Sequence, residues 1–116
     1  MDLELWHNPR CSKSREALAL LRAKGVEPTV REYLKDPPNA AELSRVVGLL
    51  GVPARELLRR DEAPFRELGL DVDGVDDAAC IAAMASHPIL IQRPVAIAVE
   101  RAVVGRPPER VLDLLG

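Results

Sequence analysis

A cysteine near the N-terminus carries the most informative chemistry in the sequence. Cys11 follows a short apolar stretch and a proline turn, and it directly precedes a helical pattern that begins at Ser12. A sulfur in that place faces unpaired backbone N–H groups and the positive end of the helix dipole, and both favour the thiolate. Because the thiolate is the nucleophilic form, the position predicts a reactive thiol. The alternative is an inert cysteine that packs as a small hydrophobic side chain.

Two polar residues near this cysteine could influence it. His7 lies four residues earlier and could tune the Cys11 thiolate across the turn, or it could cap the end of a strand. Ser14 stands where a Cys-x-x-Cys motif would have its second cysteine. Its hydroxyl could bind the thiolate or a backbone N–H, or it could be an ordinary helix-start serine. Cys80 lies in an apolar helical pattern and is interpreted as a core residue, so a site with one thiol needs an external thiol for turnover.

Composition and charge narrow the class of protein. The chain has 116 residues, of which 47% are hydrophobic and 3% aromatic, and a formal net charge of −2. These values predict one folded domain and argue against nucleic-acid binding. No apolar run is long enough to span a membrane, and no Cys, His and carboxylate cluster has zinc spacing. Because Met1-Asp2-Leu3-Glu4 lacks the basic start of a signal peptide, we expect a cytoplasmic protein without a metal.

Periodicity and turn signals place these residues on alternating strands and helices. Alternating patterns at Met1–Trp6 and Glu27–Leu34 predict two strands, joined by a helix that begins at Ser12 and ends at a left-handed Gly25. These elements form a right-handed parallel β-α-β unit. The later predicted elements are a helix at Ala40–Leu50 with an Asn39/Glu42 capping box, short helical segments at Arg55–Leu58 and Pro64–Leu68, a helix from about Asp76 to His87, a hairpin of Val95–Val99 and Ala102–Val104, and a last helix through Leu115.

The order of these elements predicts an α/β fold of the thioredoxin- or glutaredoxin-like class. In that arrangement a mixed sheet carries a helical insertion, at about residues 39–86, between the second and third strands. We therefore expect a single thioredoxin-like domain over residues 1–116. Pro94 directly precedes the third strand, and we predict a cis Arg93-Pro94 peptide bond there.

The segment around the cysteine resembles the active-site segment of the glutaredoxin-coupled arsenate reductases, the ArsC type. That segment is His7-Asn8-Pro9-Arg10-Cys11-Ser12-Lys13-Ser14-Arg15. The resemblance continues in one consistent order at Glu32-Tyr33-Leu34, Leu57-Leu58-Arg59-Arg60, Glu67-Leu68-Gly69-Leu70, His87-Pro88-Ile89-Leu90-Ile91, Arg93-Pro94 and Gly105-Arg106-Pro107-Pro108. The cysteine segment together with His-Pro-Ile-Leu-Ile-x-Arg-Pro is the specific part of this resemblance.

The resemblance implies an oxidoreductase of arsenic detoxification. In that family the matching cysteine attacks arsenate and three arginines hold the oxyanion, and by position these arginines would be Arg59, Arg93 and Arg106. Guanidinium forks neutralise an oxyanion and orient it for in-line attack by a thiolate. The implied cycle has no bound cofactor: Cys11 forms a covalent adduct with As(V), glutathione as co-substrate reduces the arsenic, and glutaredoxin attacks the resulting mixed disulfide.

Two other functions stay open. The chain could be a related glutathione-dependent thiol oxidoreductase that acts on another oxyanion or on glutathionylated proteins. It could also be a non-enzymatic regulator similar to the Spx-type transcription regulators, which share this fold and insert and bind RNA polymerase. Many of those regulators switch through a Cys-x-x-Cys motif that Ser14 interrupts here. The sequence therefore favours an arsenate reductase whose partners are arsenate or a similar oxyanion, glutathione and glutaredoxin.

Overall fold

The computed structural model describes residues 2–115 and contains a four-stranded mixed sheet of order β2-β1-β3-β4. The four strands are β1 (Glu4–His7), β2 (Thr29–Glu32), β3 (Val95–Ile97) and β4 (Ala102–Val104). β1 runs parallel to β2 and antiparallel to β3, and β3 and β4 form the expected hairpin. The predicted mixed α/β fold class is thereby confirmed. The first strand extends one residue beyond Trp6, and Met1, which the sequence pattern included, lies outside the described residues.

The chain divides into two compact units. The sheet unit consists of Met1–Asp36 and Arg93–Gly116, and the helical unit consists of Pro37–Gln92. The insertion predicted at residues 39–86 falls within the helical unit. The single domain that the chain length suggests stays a prediction. None of the helices in residues 2–115 is long and apolar enough to cross a membrane.

One face of the sheet packs against two helical segments of the sheet unit. α1 (Ser12–Ala23) follows β1, and a 3₁₀ helix (Pro108–Leu115) ends the chain. They share a core whose members are all apolar, namely Leu3, Leu5, Ala17, Leu21, Ala96, Val103, Val111 and Leu114. The expected last helix is of the 3₁₀ type, and its buried residues are Pro108, Val111 and Leu114. This packing fixes the N-terminus of α1 at the end of β1.

The ends of α1 follow from local sequence. Gly25 has a φ of 78°, which confirms the predicted left-handed residue after the helix. The Val26 N–H donates to the Leu21 carbonyl at 3.0 Å, so the last turn is closed by backbone hydrogen bonds. At the other end Cys11 is the N-cap residue, with φ −94° and ψ 122°. The chain therefore enters the helix in an extended conformation at the cysteine itself.

The helical unit contains three α-helices and two short 3₁₀ segments within its described residues. The helices are α2 (Ala40–Leu50), α3 (Ala63–Glu67) and α4 (Asp77–Ser86), and the 3₁₀ segments are Ala54–Leu57 and Pro88–Leu90. The predicted capping box is confirmed: Asn39 accepts the Glu42 N–H at 2.8 Å, and Glu42 accepts the Asn39 N–H at 3.1 Å. Asp76 caps α4 by accepting the Ala79 N–H at 2.9 Å. These caps satisfy backbone N–H groups in the first turn of both helices.

The peptide bond before Pro94 is cis, as predicted from its position before the third strand. The bond between Arg106 and Pro107 is cis as well, which the sequence analysis did not anticipate. The register of the hairpin pairs Val95 with Val104, so the two bonds flank the same end of β3 and β4. Arg93 and Arg106, which precede these prolines, therefore lie at the same end of the two paired strands.

Candidate active site

Strand pairing brings the cysteine loop and two of the expected arginines to one edge of the sheet. β1 ends at His7, and its neighbour Trp6 pairs with Val95 at the start of β3. Arg93 lies just before that strand and Arg106 just after β4. The loop from β1 to α1 carries Cys11 at the same edge. Residues far apart in the sequence thus meet because β1 and β3 are antiparallel.

The Cys11 sulfur lies at the start of α1 and is partly exposed. The Cys11 N–H donates to the Asn8 carbonyl at 3.0 Å, which closes the turn before the helix. The N–H groups of Ser14 and Lys13 and the Arg93 guanidinium act on the sulfur. The Cys11 side chain makes no capping hydrogen bond, and the backbone N–H groups of Ser14 and Lys13 favour its thiolate form. This environment is the one expected for a thiol at a helix N-terminus.

The balance of these effects lowers the pKa of the Cys11 thiol. Burial is the largest single influence and by itself raises that pKa. The Ser14 N–H, the Arg93 charge and the Lys13 N–H together outweigh it and hold the pKa below the ordinary value of cysteine. A larger fraction of Cys11 is therefore thiolate at a given pH, and the thiolate is the nucleophile.

His7 and Ser14 form a buried polar pair. The Ser14 hydroxyl lies 2.7 Å from Nδ1 of His7 and accepts the Asn8 N–H at 3.0 Å. Ser14 is fully buried, and its hydroxyl can pair with Nδ1 of His7 in either neutral tautomer of the imidazole. Burial is the main cause that lowers the pKa of His7, opposed by Glu32 and aided by nearby arginines. The pair is therefore neutral, and its action on the Cys11 thiolate stays a prediction.

Arg93 and Arg106 are linked to each other. Nη1 of Arg106 donates to the Arg93 carbonyl at 3.3 Å, and the Arg106 side chain is exposed. Nε of Arg93 is buried, and within residues 2–115 it has no hydrogen-bond partner. A buried guanidinium N–H without an acceptor is costly unless a ligand supplies one. Both arginines are thus available to an anion at this edge of the sheet, although their role in binding one stays a prediction.

Arg59, the third expected arginine, belongs to the helical unit. Its Nη2 lies 2.8 Å from a Glu62 carboxylate oxygen and 3.7 Å from one of Asp61. Its Nη1 is 3.5 Å from the Ile89 carbonyl, and its buried Nε has no partner in the described part of the chain. Only 11% of the Arg59 side chain is exposed, so the guanidinium is fixed by its ion pairs and is not a solvated surface charge. Its role in holding an oxyanion stays a prediction.

Cys80 has the opposite environment. It lies in α4 with 1% of its surface exposed, beside a cavity of about 290 Å³ in the helical unit. Burial, with further contributions from Asp77 and Asp76, raises the pKa of the Cys80 thiol. A neutral buried thiol is a weak nucleophile. Among the described residues, no three His, Cys, Asp or Glu side chains are grouped so that they could hold a metal ion.

Two contacts of the site were not anticipated in the sequence analysis. The Asn8 side chain accepts the Arg10 N–H at 3.0 Å and so shapes the turn, a function typical of asparagine before proline. Gly105 lies against Pro94 where a β-carbon would be 2.7 Å from the proline Cγ. A glycine directly after a β-branched strand is the signal that could have suggested such a close approach.

A mixed sheet with a low-pKa thiol at the first helix N-terminus defines a thioredoxin-like thiol protein. The ArsC family model matches residues 6–114, and the chain belongs to that family. The uncharacterized protein YfgD of Escherichia coli (strain K12) is 46% identical to the chain, covering 99% of it and 98% of YfgD. An arsenate reductase of Rhizobium meliloti (strain 1021) is 44% identical, covering 99% of the chain and 82% of the relative. The solved structure of an arsenate reductase from Vibrio cholerae superposes with a TM-score of 0.93 at 45% identity, covering 97% of each chain. The expected family and the thioredoxin-like fold are thereby confirmed.

Proposed function

We propose that this protein is an arsenate reductase in which Cys11 is the nucleophile and glutathione and glutaredoxin supply the electrons. The observation that carries the proposal is the lowered pKa of Cys11 beside the Arg93 guanidinium. Relatives named arsenate reductase, 44% and 45% identical over nearly the whole chain, favour arsenate as the substrate. The family therefore supports the substrate, and the site supports the nucleophile.

Three arginines are the candidates for binding the oxyanion. Arsenate is an anion near neutral pH and repels a thiolate, so attack requires neighbouring positive charge. Arg93 and Arg106 lie at the same sheet edge as Cys11, and a guanidinium fork can bind two oxygens of one oxyanion. Arg59 is the third candidate by position in the family motif. Arg93 and Arg106 would neutralise the substrate and the charge that develops during attack.

The proposed reaction transfers two electrons to arsenic. The Cys11 thiolate attacks the arsenic atom, an S–As bond forms, and hydroxide leaves and is protonated to water. A glutathione thiolate then attacks the Cys11 sulfur, and an S–S bond forms as the S–As bond breaks. The bond's electron pair passes to arsenic, so As(V) leaves as arsenite. A glutaredoxin thiolate attacks the glutathione sulfur of the mixed disulfide, and Cys11 is released as thiolate.

Mass spectrometry of the intact protein tests the first step. Wild-type protein treated with arsenate and glutathione should gain mass at Cys11, and Cys11→Ser should not. The matched control is Cys80→Ala, which removes the other thiol and should react like the wild type. Absence of any modification at Cys11, with no arsenite formed when glutathione and glutaredoxin are both present, would end the proposal.

An alkylation experiment separates arsenate from other substrates. Arsenate should slow the reaction of iodoacetamide with Cys11 if it binds beside the sulfur. Full alkylation at saturating arsenate, together with reduction of a glutathionylated test protein, would instead favour a thiol oxidoreductase of different substrate. The thiol must be regenerated in either case, so we propose that the protein works in a reducing compartment such as the cytoplasm.

A further inference from the structure

A second feature of the sheet unit lies next to the cysteine loop. A cavity of about 250 Å³ is lined by residues 7–10, at the end of β1, and by Glu32, Leu34 and Lys35, at the end of β2. The parallel register sets His7 opposite Glu32, so the two chain ends meet at one edge. The volume is close to the lower bound of the roughly 300–1,000 Å³ clefts that hold small ligands. Arsenate is far smaller than this cavity, so the proposed first step leaves the space unexplained.

The charges around the cavity have both signs. Arg10 and Lys35 are exposed cations in its lining, and Glu32 is its carboxylate. Nζ of Lys35 is 3.6 Å from Glu32, and their side chains are 81% and 42% exposed. An exposed pair of this kind contributes little stability and exchanges easily for charges of a ligand. The lining therefore suits a flexible zwitterion with more carboxylates than ammonium groups.

His7 adds a buried imidazole to the lining. Only 6% of its surface is exposed, and its Nδ1 is taken by the Ser14 hydroxyl. Nε2 is the ring nitrogen left for a ligand in the cavity that His7 lines. The backbone N–H of Ser14 acts on the Cys11 sulfur, and its hydroxyl binds His7. Ser14 therefore connects a residue that lines the cavity to the reactive thiol. The cavity thus presents a fixed imidazole nitrogen beside the loop that carries the cysteine.

We propose that this cavity is the binding subsite for the glutathione that reduces the Cys11–arsenic adduct. The inference rests on the proposed function and adds the place where the reductant binds. Glutathione has two carboxylates and one ammonium group, and these match Arg10, Lys35 and Glu32 in sign. The ligand replaces the Lys35–Glu32 pair with two new pairs, and His7 Nε2 forms a hydrogen bond with a polar group of the tripeptide. Binding here holds the glutathione thiol next to the first turn of α1, from which it attacks the Cys11 sulfur.

Calorimetric titration with S-methylglutathione tests the subsite without chemistry. The Cys11→Ser protein serves as the background, so no disulfide can form. Lys35→Gln and Arg10→Gln should each weaken binding about tenfold, which corresponds to about 1.4 kcal/mol for one lost charge-assisted contact. The matched control is Lys24→Gln, an exposed lysine just after α1, at the helix end remote from Cys11, which should leave the affinity unchanged. Equal affinity in all three variants, or no binding at millimolar ligand, would overturn the subsite.

Kinetics distinguish failure of the subsite from failure of the proposed function. With the Cys11 thiol restored, Lys35→Gln should raise the KM for glutathione and leave the yield of the Cys11–arsenate adduct as in the wild type. Arsenate turnover with the same KM for glutathione in Lys35→Gln and Lys24→Gln would overturn the subsite and keep the reductase. Binding of S-methylglutathione that depends on Lys35, in a protein that never reduces arsenate, would keep the subsite and remove arsenate as the substrate.

Discussion

Gly105 packs so closely against Pro94 that a β-carbon on the glycine would lie 2.7 Å from the proline Cγ. The same β-carbon would lie 2.9 Å from Cγ1 of Val111. The Gly105 N–H donates to the Pro94 carbonyl at 2.8 Å, so backbone and side chain both hold the two segments together. Arg93 and Arg106 are the direct neighbours of these two residues. The contact therefore fixes the backbone from which both arginines project.

Gly105→Ala should destabilise the fold, because neither the proline ring nor a β-branched valine can move aside like a flexible chain end. Overpacking of this kind costs about 1–3 kcal/mol of unfolding free energy, measured by urea denaturation. Gly48→Ala is the matched control, since Gly48 lies inside α2 and its β-carbon meets nothing within 4 Å. That variant should gain up to about 1 kcal/mol from helix propensity. The same sign of change in both variants would contradict the proposed close contact.

Arg93→Gln should raise the pKa of the Cys11 thiol, because the variant removes a positive charge that stabilises the thiolate. The pKa is read from the pH dependence of the iodoacetamide reaction rate, in a Cys80→Ala background that leaves one thiol. Arg101→Gln is the control, because Arg101 is exposed between β3 and β4 at the opposite end of the hairpin. An unchanged alkylation profile in Arg93→Gln would remove this arginine from the thiolate environment.

Arg106→Ala should reduce arsenate turnover without moving the pKa of Cys11. Arg106 is not among the groups that shift the thiol, so its loss should affect the oxyanion and not the nucleophile. By analogy with the loss of one oxyanion donor, kcat should fall about 10²–10³-fold, or about 2.7–4 kcal/mol. Arg93→Ala should change both quantities, and Arg60→Ala, at an exposed arginine outside the proposed set, should change neither. Wild-type kinetics in Arg106→Ala would withdraw this residue from the oxyanion site.

Ser14→Ala should destabilise the protein through two groups that it leaves without partners. The Asn8 N–H and His7 Nδ1 both lose the Ser14 hydroxyl, and an unsatisfied buried polar group costs about 1–3 kcal/mol. Urea denaturation measures the loss. Ser12→Ala is the control in the same helical turn, because Ser12 is exposed, and its effect should stay within about 0.5 kcal/mol. Equal effects of the two substitutions would show that the Ser14 pair contributes nothing to stability.

Features set by neighbours in the sequence were predictable. The position of Cys11 before a helix followed from the proline turn and the helical pattern after it, and the left-handed Gly25 followed from its place after the last apolar position. The Asn39 and Glu42 capping box is likewise a matter of residue types at fixed spacing, and the structure has both of its hydrogen bonds. Local signals of this kind depend on backbone geometry within one turn, which a single sequence records.

Features set by packing between distant segments were not predictable. The sequence could not decide whether His7 tunes the Cys11 thiolate or caps the strand, because its partner, Ser14, reaches it only when α1 packs on β1. The contact of Gly105 with Pro94 depends on the hairpin register, which no local signal fixes. The 3₁₀ type of the last helix was not predictable either, since a sequence rich in apolar residues fits more than one helical period.

The stability of the protein should depend on pH through Cys11. Its folded pKa is lower than the ordinary value of cysteine, which is the value expected in the unfolded chain, so the native state binds fewer protons between the two values. The stabilisation from the thiolate is therefore fully present above the unfolded pKa and is lost as the pH falls through the folded pKa. Compared with Cys11→Ser, the protein with the thiol should gain unfolding free energy as the pH rises across this window. The comparison is made by urea denaturation in a Cys80→Ala background, because the raised pKa of Cys80 gives a pH dependence of opposite sign. A difference between the two proteins that stays constant from acid to alkaline pH would mean that the helix terminus and Arg93 do not favour the thiolate in the folded state.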